Sequence, residues 1–272
     1  MDDQGKQEII ETAHALAEAA RAAVLPFFRA EGLTAENKGD KIADGGFDPV
    51  TEADRGAERA MRAILAERRP DDGIIGEEYG VTPGKSGLNW VLDPVDGTRG
   101  FLAGTPTWGV LIALSNANGP LFGMIDQPYI GERFWGGFGT AQMTGPQGPR
   151  GLKARGDRAL AEAVLFTTFP EVGTQTEAQA FQAVNSQVRL TRYGMDCYAY
   201  ALLAAGQIDL VIEAGLSNYD VQAPIAVIQA AGGIMTDWTG GPAHQGGQVI
   251  AAAGQAQHAA ALKILRPFAD KG

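Results

Sequence analysis

An apolar run, Trp90-Val91-Leu92, leads straight into Asp93-Pro94-Val95-Asp96-Gly97-Thr98. A run of this character reads as a buried strand, and a carboxylate at its C-terminal end projects into a cleft rather than into the core. Pro94 has no N–H to give a ladder, so the chain is expected to bend away from the sheet there. Asp96 then returns a second carboxylate to nearly the same place. Gly97 permits close approach of the backbone, and Thr98 suits the cap of the turn or helix that follows. Two buried carboxylates three residues apart repel unless a cation sits between them. Carboxylate and carbonyl oxygens are the ligands of hard cations. The N–H groups of Gly97 and Thr98 could then hold an anionic oxygen, as at a helix N-terminus.

A lone motif of this kind is about as often an exposed Asp-Gly turn among solvated acids. Its company decides. Two further acidic clusters lie upstream, Asp48-Pro49-Val50-Thr51-Glu52-Ala53-Asp54 and Gly76-Glu77-Glu78. The 272 residues carry a formal net charge of -10, which argues against polyanionic partners such as nucleic acid. It does not argue against a small anionic ligand, because bound cations reverse the charge inside one pocket. The single cysteine, Cys197, excludes an internal disulfide and a Cys-type zinc site. The N-terminus lacks the pattern of a signal peptide, and no apolar stretch reaches the length of a membrane span. A cytoplasmic protein without membrane partners is expected.

Apolar residues at helical spacing predict a helix over 7–29 and another from Asp54 to Arg69, with a polar, Gly-rich loop over 36–48 between them. Strands are expected at Gly73–Gly76, Trp90–Asp93, Trp108–Leu114, Leu121–Asp126 and Arg133–Trp135. Their turn-rich separators suit a largely antiparallel meander. The stretch Gly145-Pro146-Gln147-Gly148-Pro149 reads as a boundary between an N-terminal α+β domain, 1–145, and a C-terminal α/β domain, 146–272. In the second, strands (Val164–Thr168, Leu210–Glu213, Ile234–Thr236, Val249–Ala252) alternate with helices (Thr176–Ser186, Cys197–Ala205, Val221–Ala231 and one ending at Phe268). The Gly84-Lys85-Ser86 segment lacks the first glycine and the strand-to-helix setting of a phosphate-binding loop. His14, His244 and His258 form no metal pattern.

In order along the chain, DPVTEAD, GEE and WVLDPVDGTRGF resemble the motifs of the inositol monophosphatase superfamily. Tyr219-Asp220-Val221-Gln222-Ala223, followed by Ala231-Gly232-Gly233-Ile234, is similar to its second motif, an aspartate opening a helix before a Gly-Gly turn. The family has Trp where Tyr219 stands. Pro224 is expected in the first turn of that helix, where its missing N–H matters least. The resemblance implies a layered α-β-α-β-α sandwich and magnesium-dependent hydrolysis of a small phosphate monoester. It implies two or three magnesium ions, with manganese as an alternative, and a homodimer. Glu77, Asp93 and the carbonyl of Val95 would hold one ion. Asp93, Asp96 and Asp220 would hold a second, and a third, looser ion would use Glu77. Asp54 and Thr98, with Glu77 close by, would orient and activate the attacking water. Either Lys38 or Lys41 would reach the active-site loop.

Two stretches, DGTRGFLAGTPTWG from Asp96 and RYGMDCYAY from Arg192, the latter continued by Asp209-Leu210-Val211-Ile212-Glu213, resemble the histidinol-phosphate phosphatase branch. That substrate carries an ammonium and an imidazole, for which Asp196 and Glu213 are suitable partners. Asp196 equally suits a helix N-cap, Glu213 an exposed strand end, and Arg192 either the substrate or a surface ion pair. Gly97 and Thr98 complete the expected substrate contacts. Inositol monophosphate, a sugar phosphate or a nucleotide phosphate is the rival substrate. A catalytically silent binding protein on the same fold is the rival of another class.

Overall fold

A computed structural model describes residues 1–32, 34–37 and 49–270. Lys38, Lys41 and Asp48 lie outside the described residues. Helix α1, Asp3–Val24, is followed by the two-residue strands β1, Glu36–Asn37, and β2, Pro49–Val50, which pair with each other. Pro26 has no N–H to give the Ala22 carbonyl, and Phe27 and Phe28 bond three residues back instead, to Val24 and Leu25, so α1 ends short of the expected residue 29. Helix α2, Glu52–Arg68, begins at a Thr51 capping box.

The next strands are β3, Gly73–Gly76, β4, Gly80–Thr82, and β5, Asn89–Asp96. A short helix α3, Thr98–Ala103, precedes β6, Gly109–Asn116, β7, Gly119–Gln127, β8, Glu132–Gly137, β9, Thr140–Thr144, and β10, Arg150–Gly151. Among the described residues these form an eight-stranded sheet in the order β10-β9-β8-β7-β6-β5-β3-β4. All its pairs are antiparallel except β3 with β5. Gly145–Pro149 lies in the connection between β9 and its partner β10, so the large sheet takes its last strand from beyond Gly145.

The C-terminal sheet uses β11, Val164–Thr167, β12, Leu190–Tyr193, β13, Leu210–Leu216, β14, Ile234–Asp237, and β15, Gly247–Ala252, in the order β12-β11-β13-β15-β14. Helix α4, Gln175–Asn185, α5, Tyr198–Ala204, α6, Asn218–Ala230, and α7, Gln255–Leu265, cover its faces. Short β4, exposed β12 and β9 escaped the sequence reading, because none carries a long apolar run.

Among the described residues three apolar clusters hold five layers together, the middle one spanning both sides of α6. Ile9, Leu16, Met61 and Leu65 of α1 and α2 bury Trp90 and Leu92 on one face of the large sheet. Val91, Leu111, Ile125 and Phe134 on its other face meet Val221, Val227 and Ile228 of α6, backed by Val211 and Val249 of the small sheet. Leu165, Ile212 and Ile250 on the far face meet Phe181 and Val184 of α4 and Leu262 of α7. The period-two alternation along β5 thus sends Trp90 and Leu92 toward α1 and α2, and Val91 toward α6. This is the α-β-α-β-α sandwich. No described helix is long and apolar enough to cross a membrane.

Candidate active site

Asp93 shares the parity of Val91 and so faces α6. Asp96, three residues on, would face away in a regular strand. Instead, β5 pairs Asp93 with Leu111 and Asp96 with Gly109, three steps against two on β6. That one-residue bulge turns Asp96 to the same side as Asp93. Pro94 therefore does not lead the chain out of the sheet, as the sequence suggested: β5 runs through it to Asp96. The residue needing no ladder donor is absorbed at the bulge.

Asp220, in the first turn of α6, supplies a third carboxylate, held by the Ser217 N–H at 2.6 Å from Oδ2. Carboxylate oxygens of Asp93, Asp96 and Asp220 all lie within 4.8 Å of one another. Burial, and then the charges of Glu77, Asp96 and Asp220, push Asp93 well above the usual carboxylate range. Burial, with the Asp196 charge next, pushes Asp96 up to about 7, although the Cys197 N–H donates to its Oδ2 at 2.6 Å. Asp220 also lies well above its ordinary value, through burial and then the Asp96 charge. Such a cluster can hold its protons or take up cations. Its all-oxygen donor set fits a hard divalent ion. Pro224 stands inside α6 rather than in its first turn, so the Asp220 carbonyl has no N–H partner four residues on.

Glu77 follows β3, its N–H donating to the Leu92 carbonyl at 3.2 Å, and its carboxyl bears on Asp93. Asp54 is buried on α2, and its Oδ2 accepts from the Thr51 N–H at 2.9 Å and the Thr51 hydroxyl at 2.5 Å. The Thr98 hydroxyl has one proton and two acceptors in reach, Asp54 Oδ1 at 3.3 Å and the Val95 carbonyl at 3.0 Å. Gly97 caps α3 at φ 82°, and Thr98 is the helix's first residue rather than its cap.

Asp196 comes from the C-terminal half and lies directly against Gly97. A Cβ on Gly97 would stand 2.6 Å from the Asp196 Cγ. Asp196 adopts φ 46° and accepts from the Thr107 hydroxyl at 3.2 Å, while Cys197 occupies the cap position of α5. Its side chain is thus turned to Gly97 and Thr107 instead of capping the helix. Glu213 is buried, not an exposed strand end. Its Oε1 accepts from the Thr168 N–H at 2.7 Å and the Thr168 hydroxyl at 3.0 Å, and its Oε2 from the Thr167 hydroxyl at 3.1 Å. Burial still pushes it up to about 7. Arg192 is exposed on β12, and no hydrogen bond or ion pair among the described residues joins it to Asp196 or Glu213.

The sequence reading missed Tyr200. Its ring is buried in α5, and its hydroxyl has no hydrogen-bond partner among the described residues. Burial and then the charges of Glu213, Asp96 and Asp220 hold that hydroxyl protonated far above the usual phenol range. Its place two residues after Tyr198 on an apolar helix gave no signal of this. Glu58, also missed, left one: it stands four residues after Asp54, beside the apolar stripe of α2.

Comparison with known proteins gives the family and the fold. The model of the inositol monophosphatase family matches residues 5–268. The chloroplastic bifunctional phosphatase IMPL2 of Arabidopsis thaliana is 40% identical over 230 residues, 84% of this chain but only 63% of that protein. A histidinol-phosphatase of Streptomyces coelicolor is 33% identical over 250 residues, covering 89% of this chain and 91% of that one. The solved structure of an inositol monophosphatase from Zymomonas mobilis superposes with a TM-score of 0.83 at 39% identity, over 97% of this chain and 99% of that one. With its fold and nearly its full length matched, the chain belongs to the inositol monophosphatase family.

Proposed function

We propose that this phosphatase is a magnesium-dependent histidinol-phosphate phosphatase, cleaving histidinol phosphate with water to histidinol and phosphate. The observation that carries the hydrolytic part is the trio Asp93, Asp96 and Asp220, whose oxygens converge within 4.8 Å while each carboxyl is raised above its ordinary value. In this reading Glu77, Asp93 and the Val95 carbonyl would hold one magnesium ion, and Asp93, Asp96 and Asp220 another. When bound, such ions neutralise phosphate oxygens and acidify a water as the nucleophile. Thr98 and Asp54 orient that water, with Asp54 taking its proton through or beside the Thr98 hydroxyl. The N–H groups of Gly97 and Thr98 face the phosphate.

The substrate assignment rests on acids beyond the trio. The Asp196 charge acts on Asp96 on one side and on Glu213 on the other. Acids so placed beside a phosphate site favour an alcohol that carries a cation or several donors. Asp196 meets the amine or imidazole end directly, and Glu213 offers what its Thr167 and Thr168 contacts leave free. Arg192 joins the substrate only if its exposed side chain swings toward the cleft.

A second reading keeps the chemistry and changes the ester to inositol monophosphate, supported by the likeness to the Zymomonas mobilis enzyme. The test is phosphate release from histidinol phosphate and inositol 1-phosphate, with and without magnesium. Magnesium-dependent release mainly from histidinol phosphate is the expected result. Release mainly from inositol phosphate discards the substrate and keeps the metal site. No release from any small ester would favour a silent binding protein.

A further inference from the structure

We propose that the buried Glu58 of α2, together with the half-buried Arg62 one turn on, is a positioning device that sets Glu77 for metal binding by gripping the backbone of the turn after β3. The inference rests on the reading of Glu77 as a metal ligand. Glu58 is 0% exposed. Its Oε2 accepts from the Glu78 N–H at 2.7 Å and its Oε1 from the Tyr79 N–H at 3.2 Å. Arg62, one helical turn on, donates Nε to Glu58 Oε1 at 2.7 Å. Its other nitrogens reach the Gly80 carbonyl at 2.5 Å and the Thr82 hydroxyl at 2.9 Å. Gly76 completes the grip, because a Cβ there would overlap the Glu58 carboxylate. The glycine before Glu77 is therefore required by close approach, not by its own backbone angle.

The consequence is a fixed distance between two parts of the site. Asp54 and Glu58 stand four residues apart on one stripe of α2, about 6 Å along the axis. The first is in reach of Thr98 beyond β5, and the second holds the two N–H groups immediately after Glu77. The Glu77 N–H is pinned from the other side by the Leu92 carbonyl of β5. One rigid helix thereby registers the Glu77 turn against the Asp93–Thr98 segment. A buried acid bonded to two amides and a guanidinium is well satisfied, whereas removing its charge leaves donors without partners. Groups that orient metal ligands from outside the coordination sphere are worth roughly 10- to 100-fold in metal affinity.

The test is binding of Mn2+ to the metal-free full chain, followed by electron paramagnetic resonance of the free ion, together with thermal unfolding. Glu58→Gln keeps the volume but loses the charge. Its Mn2+ dissociation constant is expected to rise roughly tenfold or more. Leu65→Ala, a core truncation in the same helix, is expected to lower the melting temperature and leave Mn2+ binding unchanged. Should Glu58→Gln not fold, Arg62→Met, which leaves Glu58 in place without its cation, is read in the same way with a severalfold rise. Binding within twofold of wild type in the folded variant overturns the proposal. So does a loss in Leu65→Ala equal to that in Glu58→Gln, since the effect would then be general destabilisation. If the wild type itself binds no Mn2+, the metal reading fails first and the inference falls with it.

Discussion

Replacing Glu213 by Gln should make the metal-free protein more stable, and more so as the pH rises. Burial lifts the Glu213 carboxyl from its ordinary 4.5 to about 7. An acid raised by folding contributes most at low pH, where it is protonated in both states, and loses stability as pH climbs from the unfolded value toward the folded one. The window here is pH 4.5 to 7. At ~1.36 kcal/mol per pH unit the full cost above that window is about 3 kcal/mol. At pH 5 the cost is only about 1 kcal/mol, because the unfolded carboxyl is then about three-quarters ionised. Gln keeps an oxygen for the Thr168 N–H and hydroxyl, and its amide can donate to the Thr167 hydroxyl, which reorients. The stability difference between variant and wild type should therefore grow by about 2.5 kcal/mol from pH 5 to pH 8.5. Urea unfolding in EDTA at both pH values measures it, and Asp93, Asp96 and Asp220 cancel in the difference. A difference that is flat in pH, or that turns against the variant at high pH, would refute the reasoning.

Asp93→Asn should reduce magnesium-dependent phosphate release by more than about a hundredfold, since it removes the carboxylate at the centre of the trio; retained turnover would sink the proposed mechanism. Gly97→Ala should cost about 1–2 kcal/mol from its left-handed backbone alone, with more from the clash with Asp196, measured as a lowered urea midpoint. Thr51→Ala should cost about 1 kcal/mol of stability by removing a helix cap, and should also lower turnover by freeing Asp54; Thr51→Ser should restore most of both. The metal-free wild type should gain stability as pH falls from 9 toward 6, because Asp93, Asp96 and Asp220 are all raised by folding; a melting temperature that falls over that range would contradict it.

Much of this was legible in advance. The apolar positions of α1 and α2, the strand running into Asp93 and the alternation after Val164 follow from local periodicity, and so did the order of layers once the motifs were joined to a family. Prolines were read less well. Pro94 looked like a strand end and Pro224 like a first-turn residue, because each was judged by its own backbone limits. The bulge opposite Gly109 and the free carbonyl of Asp220 are relations with other residues, which a proline's local preference does not contain.

What the sequence determined by itself is the chemistry on offer: carboxylates at Asp54, Glu77, Asp93, Asp96 and Asp220, spaced as short local motifs whose side chains leave strand ends and helix starts. What only the tertiary structure decided is which of them meet, and in what state. A one-residue register shift between β5 and β6 puts Asp96 beside Asp93. Packing of α6 across the large sheet brings in Asp220 from more than a hundred residues away. The closing of the two halves presses Asp196 onto Gly97, and the pairing of β11 with β13 encloses Glu213 among its threonines. Register, enclosure and the resulting proton affinities depend on atoms far apart in the chain, and these come into contact only when the layers close.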